Sequence, residues 1–166
     1  MCIRDRSMIP LAFINYGGIQ AIQTLWAGPW MLNISGYTPL ESATGLFWIN
    51  ITMLISYFIW GYILPKISDY GINSIKLIKL GLPISYFSLF LIIYFGNNAG
   101  AFLFTIYIMT SIVISLTQPA IALNFSKNLA GKSLTSFNVF LFSGTFFIQW
   151  GIGLIIDLCN NKGFDI

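Results

Sequence analysis

Histidine is absent from this chain of 166 residues, cysteine occurs twice, and charged residues make up only 8%. Without histidine the commonest metal ligand and the usual general base are both missing. Cys2 and Cys159 stand at opposite ends of the chain, which gives neither a disulfide framework nor a thiolate cluster. No metal and no cofactor are therefore expected. Soluble domains carry about 25% charged residues; here 57% of the residues are hydrophobic and the mean hydropathy is +0.80. A water-exposed globule is excluded, and no nucleic-acid partner is expected.

The longest charge-free stretch runs from Leu80 to Ser126, broken only by Gly96-Asn97-Asn98-Ala99-Gly100. At about 1.5 Å rise per residue, each half is long enough to cross a hydrocarbon core of roughly 30 Å. This reads as a membrane hairpin, and the rest of the chain repeats the pattern. The expectation is an all-α polytopic membrane helix bundle of five transmembrane helices, spanning about 9–32, 39–64, 80–96, 101–125 and 133–156. Residues 159–166 form a polar segment, read as truncated before a final helix. Met1 to Ser7 (MCIRDRS) resembles a translated adaptor sequence, so 1–8 is set aside as non-native or as a cytoplasmic tail. A signal peptide fits less well, because the following apolar segment is too long and lacks a small-residue cleavage site.

Thr38-Pro39-Leu40-Glu41 is a strong helix start, with an N-cap, proline at the first helical position and glutamate three residues after the cap. Pro65 and Lys66 are expected to end that second span at the opposite surface. Orientation follows from the lysines. Arg4, Arg6, Lys66, Lys76, Lys79, Lys127 and Lys132 fall on one side of this topology and only Lys162 on the other. Short basic loops stay in the cytoplasm, so the N-terminus is placed there, in what reads as a bacterial inner (plasma) membrane.

Polar side chains are unevenly shared among the spans. In the first, Asn15, Ile19, Gln23, Trp26 and Trp30 fall in one sector at 100° per residue, with Gln20 and Thr24 alongside. Polar groups avoid lipid and face the bundle interior or a watery cavity, either as interhelical glue or as substrate contacts. The span from Leu80 has little polarity beyond Ser85, Tyr86 and Ser88 and reads as peripheral. The fourth carries Thr110, Ser111, Ser115, Thr117 and Gln118-Pro119, and the fifth carries Asn138, Ser143 and Gln149; both are expected inside.

Four segments carry a family likeness: Gly18 to Trp30 (GIQAIQTLWAGPW), Gly61 to Ile72 (GYILPKISDYGI), Gln118 to Ala122 (QPAIA) and Gln149 to Asp157 (QWGIGLIID). In these segments and their arrangement the chain resembles the C-terminal half of a major facilitator superfamily transporter, its seventh to eleventh helices, over about residues 9 to 158. Gly61, Lys66 and Gly71 match that family's loop motif, whereas Pro65 stands where its acid would be and Asp69 and Tyr70 replace basic positions.

The resemblance implies alternating access between two six-helix halves about a midplane site, with an absent N-terminal six-helix half as partner. It also implies a cavity lined by the first, second, fourth and fifth helices of each half. The candidate cavity residues are Gln20, Gln23, Asn50, Gln118, Asn138 and Gln149, acting by hydrogen bonds to a small solute. Gly28, Pro29, Gly61, Gly71 and Pro119 are candidate gating or kink positions. The alternatives are a small assembly or scaffold subunit and, less well supported, an integral membrane enzyme, which would need a catalytic acid, base or metal set that the spans lack. No enzyme activity is expected.

Overall fold

The computed structural model describes residues 3–123 and 125–162. Met1, Cys2, residue 124 of the expected fourth span and residues 163–166 of the polar segment lie outside the described residues, as do the side chains of Arg4, Arg6 and Lys127. Among the described residues the architecture is all-helical. The first rod comprises α1 (Ile3–Ala21), a π-helical turn (Ile22–Trp26) and α2 (Ala27–Asn33). The second is α3 (Pro39–Asp69) and the third is α4 (Ser74–Phe95). The fourth comprises α5 (Ala101–Ser111), a 3-10 segment (Ile112–Leu116) and α6 (Thr117–Ala122), and the fifth is α7 (Lys127–Asn161). Four helices are long and apolar enough to cross a membrane: Pro39–Asp69, Ser74–Asn98, Ala101–Ala122 and Asn128–Asn161.

The start of α3 follows from its sequence. The Thr38 side chain accepts from the Glu41 backbone N–H, the Glu41 carboxylate accepts from the Thr38 N–H at 2.8 Å, and Pro39 occupies the first turn. Such a cap contributes about 1 kcal/mol. Its far end differs from expectation, because α3 runs through Pro65 and Lys66 to Asp69. Proline in a helix loses one hydrogen bond and crowds the carbonyl four residues back. That carbonyl belongs to Gly61, and α3 carries the proline in its interior as α4 carries Pro83. The third helix likewise begins at Ser74, ahead of the expected Leu80, with the Asn73 side chain accepting from the Lys76 N–H at 3.0 Å. The fifth begins at Lys127, ahead of Ser133.

The fourth rod is the centre of the bundle. Half of its membrane-length window is buried, against 11% in α3 and in α7. The fifth span, expected inside, packs along α1 and beside α6 on one face and leaves Phe142, Phe146, Trp150 and Ile155 exposed on the other. What holds it there is backbone proximity. A Cβ on Gly17 would sit 2.6 Å from the Gly144 carbonyl carbon, so α1 and α7 cross where neither has a side chain. Close approach at small residues is how membrane helices gain packing energy when lipid is as apolar as the partner. Ala12, Phe137, Leu141 and Ile121 pack around this crossing. At the other end of the bundle a Cβ on Gly45 would meet Ala101 Cβ at 2.7 Å and Met31 Sδ at 2.9 Å, and there the first, second and fourth rods converge.

Candidate functional site

The first rod carries Asn15, Gln20, Gln23 and Thr24 along its middle, and its backbone departs from α geometry in the same place. Pro29 cannot donate to Leu25, and upstream of it Ile22–Trp26 takes π geometry with one extra residue per hydrogen-bonded loop. The extra residue breaks the single polar sector expected at 100° per residue. Asn15 faces the third rod, where its amide oxygen accepts from the Tyr86 hydroxyl. Gln23 instead faces the second rod and donates to Asn50 Oδ1 at 2.8 Å. Asn50 in turn donates to the Leu46 carbonyl at 2.7 Å, which fixes the direction of both amides.

Gln23 is 7% exposed, and its remaining acceptor, Oε1, is buried without a partner. The indole N–H groups of Trp26 and Trp30, one and two turns further out, are also buried without partners. Trp30 packs edge-on against Phe104 of the fourth rod, with ring centroids 6.3 Å apart. An unsatisfied buried polar group costs about 1–3 kcal/mol, and native proteins keep few of them. Three on consecutive turns of one rod mark this stretch as unlike ordinary packing.

Below Gln23 the polar line continues on the face shared with the second rod. Gln20 donates to the Tyr16 hydroxyl at 3.0 Å. Tyr57 of α3 lines a groove of about 370 Å³ between the second and fourth rods, where Gln118, Ser115, Gly61 and Pro119 meet. Gln118 is therefore not brought together with the Gln23–Asn50 pair, which lies outside that groove. Pro119 cannot donate to Ser115, and the 3-10 segment Ile112–Leu116 ends just before it. In the turn before it the Thr117 backbone N–H reaches both the Ile114 and Ser115 carbonyls, and the Thr117 hydroxyl donates to the Ile114 carbonyl at 2.7 Å.

Gln149 is placed differently. It donates to the Thr24 hydroxyl at 2.9 Å and ties α7 to the first rod, while Asn138 stays half-buried on α7. Of the kink positions, Gly28 accepts from the Ser42 hydroxyl at 3.4 Å through its carbonyl, Pro29 is exposed, and Gly71 takes φ +74° in the turn before α4. That φ is comfortable for glycine alone.

The third rod holds an interface that polarity counts had undervalued. Ser85 pairs with Ser111 at 2.5 Å and Ser88 with Thr110 at 3.0 Å, all four hydroxyls lying between α4 and α5. Serines three apart on one helix, facing adjacent hydroxyl residues on the next charge-free segment, were the available signal. One face of α4 is exposed through Leu80, Phe87, Phe90 and Tyr94, while its serine face is covered by α5.

Comparison of the chain with family models, with curated proteins and with solved structures finds no match. The class rests on the helices alone: four of them are long and apolar enough to span a bilayer, which makes this an integral membrane protein. Among the described residues no group of three or more metal-ligating side chains occurs.

Proposed function

We propose that the chain is part of a secondary active transporter of the major facilitator type, moving a small solute across the membrane by alternating access. In this reading the first rod is a fifth span, and a second six-helix unit completes the pathway. The observation that carries the proposal is Gln23: a glutamine buried at mid-depth, held by Asn50, with its carbonyl oxygen unpartnered in a π-helical turn. Interrupted helices whose freed backbone and amide groups meet near the midplane are the usual construction of carrier binding sites. The 3-10 break beside Gln118-Pro119 gives the fourth rod a second interruption.

The packing order also supports this reading. The first, second and fourth rods converge at Gly45, and Tyr57 and Gln118 line one groove between the second and fourth. These groups are amides and hydroxyls, so the solute is recognised by hydrogen bonding. The paired Thr24–Gln149 and Ser85–Ser111 contacts satisfy each other and favour a glue role at those positions alone.

The complete carrier, reconstituted in proteoliposomes and screened against small organic solutes, is expected to show saturable, solute-specific uptake. Absence of flux for every solute, together with a stable assembly in which these helices only contact other subunits, would assign the chain to a scaffold instead. Orientation has its own test. With Cys2 and Cys159 removed, single Lys76→Cys and Lys132→Cys variants are expected to react with an impermeant thiol reagent from the same face. In a chain keeping only Cys159, the label enters from the opposite face. Labelling of positions 76 and 132 from different faces would remove the five-span topology.

A further inference from the structure

A groove of about 330 Å³ opens at the inner end of α7, away from the glutamine line, between the starts of α1 and α7 and the end of the fourth rod. Its walls are Ile121, Phe125, Leu129, Phe137 and Phe140, with Ile9 closing one side. Its polar lining comes from one short stretch of α7: Lys132, Ser133 and Ser136. Lys132 is exposed, and it lies more than one turn inside the helix, where a long side chain can keep its stem on apolar surface and its ammonium in the headgroup layer. From Lys132 to Phe140 the groove follows α7 for about 12 Å at 1.5 Å per residue. That is most of one leaflet of a hydrocarbon core of roughly 30 Å.

An apolar channel most of a leaflet deep, with Lys132 as its one cation among the described residues and hydroxyls beside it, matches an acyl chain and a phosphate better than a soluble ligand. We propose that this groove is a binding site for an anionic phospholipid, with the phosphate at Lys132 and Ser136 and one acyl chain along Phe125, Phe137 and Phe140. The Ser133 hydroxyl is committed as a donor to the Ala130 carbonyl at 2.9 Å, so its oxygen faces the site as an acceptor only. Basic pockets between membrane helices on the cytoplasmic side are where such headgroups bind. This site depends on the membrane setting and not on the transport reading, because it shares no residue with the glutamine line.

The test is lipid retention. The chain is released from nanodiscs of mixed phosphatidylglycerol and phosphatidylcholine and weighed with bound lipid by native mass spectrometry. Phosphatidylglycerol is expected to be retained at least fivefold over phosphatidylcholine, and Lys132→Gln is expected to remove that preference. A Lys76→Gln/Lys79→Gln variant changes two exposed lysines at the same end of the bundle that do not line the groove, and it is expected to keep the preference. Ser136→Trp, which fills the groove and leaves the lysine, is expected to lose it. Equal retention of the two lipids, or equal loss in the two lysine variants, would overturn the site in favour of diffuse attraction. Displacement by millimolar soluble glycerol phosphate would overturn the acyl-chain part, and a lipid-free dimer surviving release would assign the groove to a second copy.

Discussion

Gly17→Leu is expected to lower the unfolding free energy by about 3 kcal/mol, at the upper end of overpacking penalties, while Gly18→Leu, one residue away, changes it by less than about 0.5 kcal/mol. The contrast comes from what each new side chain would meet. At Gly17 the Cβ alone falls 2.6 Å from the Gly144 carbonyl carbon and 2.7 Å from its oxygen; at Gly18 it meets nothing within 4 Å. Backbone cannot rotate aside as a side chain does. The first rod and α7 must separate, and the packing of Ala12, Phe137 and Leu141 around the crossing goes with it. The midpoint of a detergent-denaturation titration, followed by helical circular dichroism, reads both variants. Equal shifts for the two would mean that the α1–α7 crossing is looser than its geometry.

The second large effect belongs to Gln23. In the carrier proposed above, Gln23→Ala is expected to lower the uptake rate at limiting solute at least tenfold, since losing a hydrogen bond worth about 1.4 kcal/mol is a factor of ten. Gln149→Ala is expected to stay within twofold of the parent. Both glutamines lie in apolar helices and each makes one interhelical hydrogen bond, but Gln149 meets a hydroxyl that is itself bonded to its own helix, whereas Gln23 keeps a buried acceptor in reserve. Interhelical hydrogen bonds in bilayers average only about 0.6 kcal/mol, so neither change should unfold the bundle. Equal losses of uptake would place Gln23 among the packing contacts.

The hairpin from Leu80 and the capping box at Thr38 were legible in the sequence because each depends on local chemistry: an uncharged run bounded by glycines, and a cap whose partners lie three residues apart. Pro65 was not legible. α3 and α4 both continue through a proline, Pro65 and Pro83, so a proline in an apolar run does not by itself mark where the helix ends. Nor was the place of α7 legible. Its asparagine, serine and glutamine resemble those of a central helix, yet only the Gly17–Gly144 contact decides that one face is covered and the other left open. The candidate site divided along similar lines. Amides at mid-depth could be found by inspection, but the π turn redistributes them, sending Asn15 toward Tyr86 and Gln23 toward Asn50. Tyr16 escaped notice because tyrosine in a membrane helix reads as an interfacial residue, and only its hydrogen bond from Gln20 reveals a polar role.

That irregular turn has a mechanical corollary. A loop closed five residues apart contains one residue more than an ordinary helical loop, so the rod from Ala27 to Asn33 is threaded one step out of phase with the part seated on α7. Returning the surplus residue to ordinary pitch would screw the outer segment through about 100° and 1.5 Å, carrying Trp26, Trp30 and the Gly28–Ser42 contact to new partners while Gly17 stayed where it is. The rod has a slip joint at the depth of its least satisfied amide.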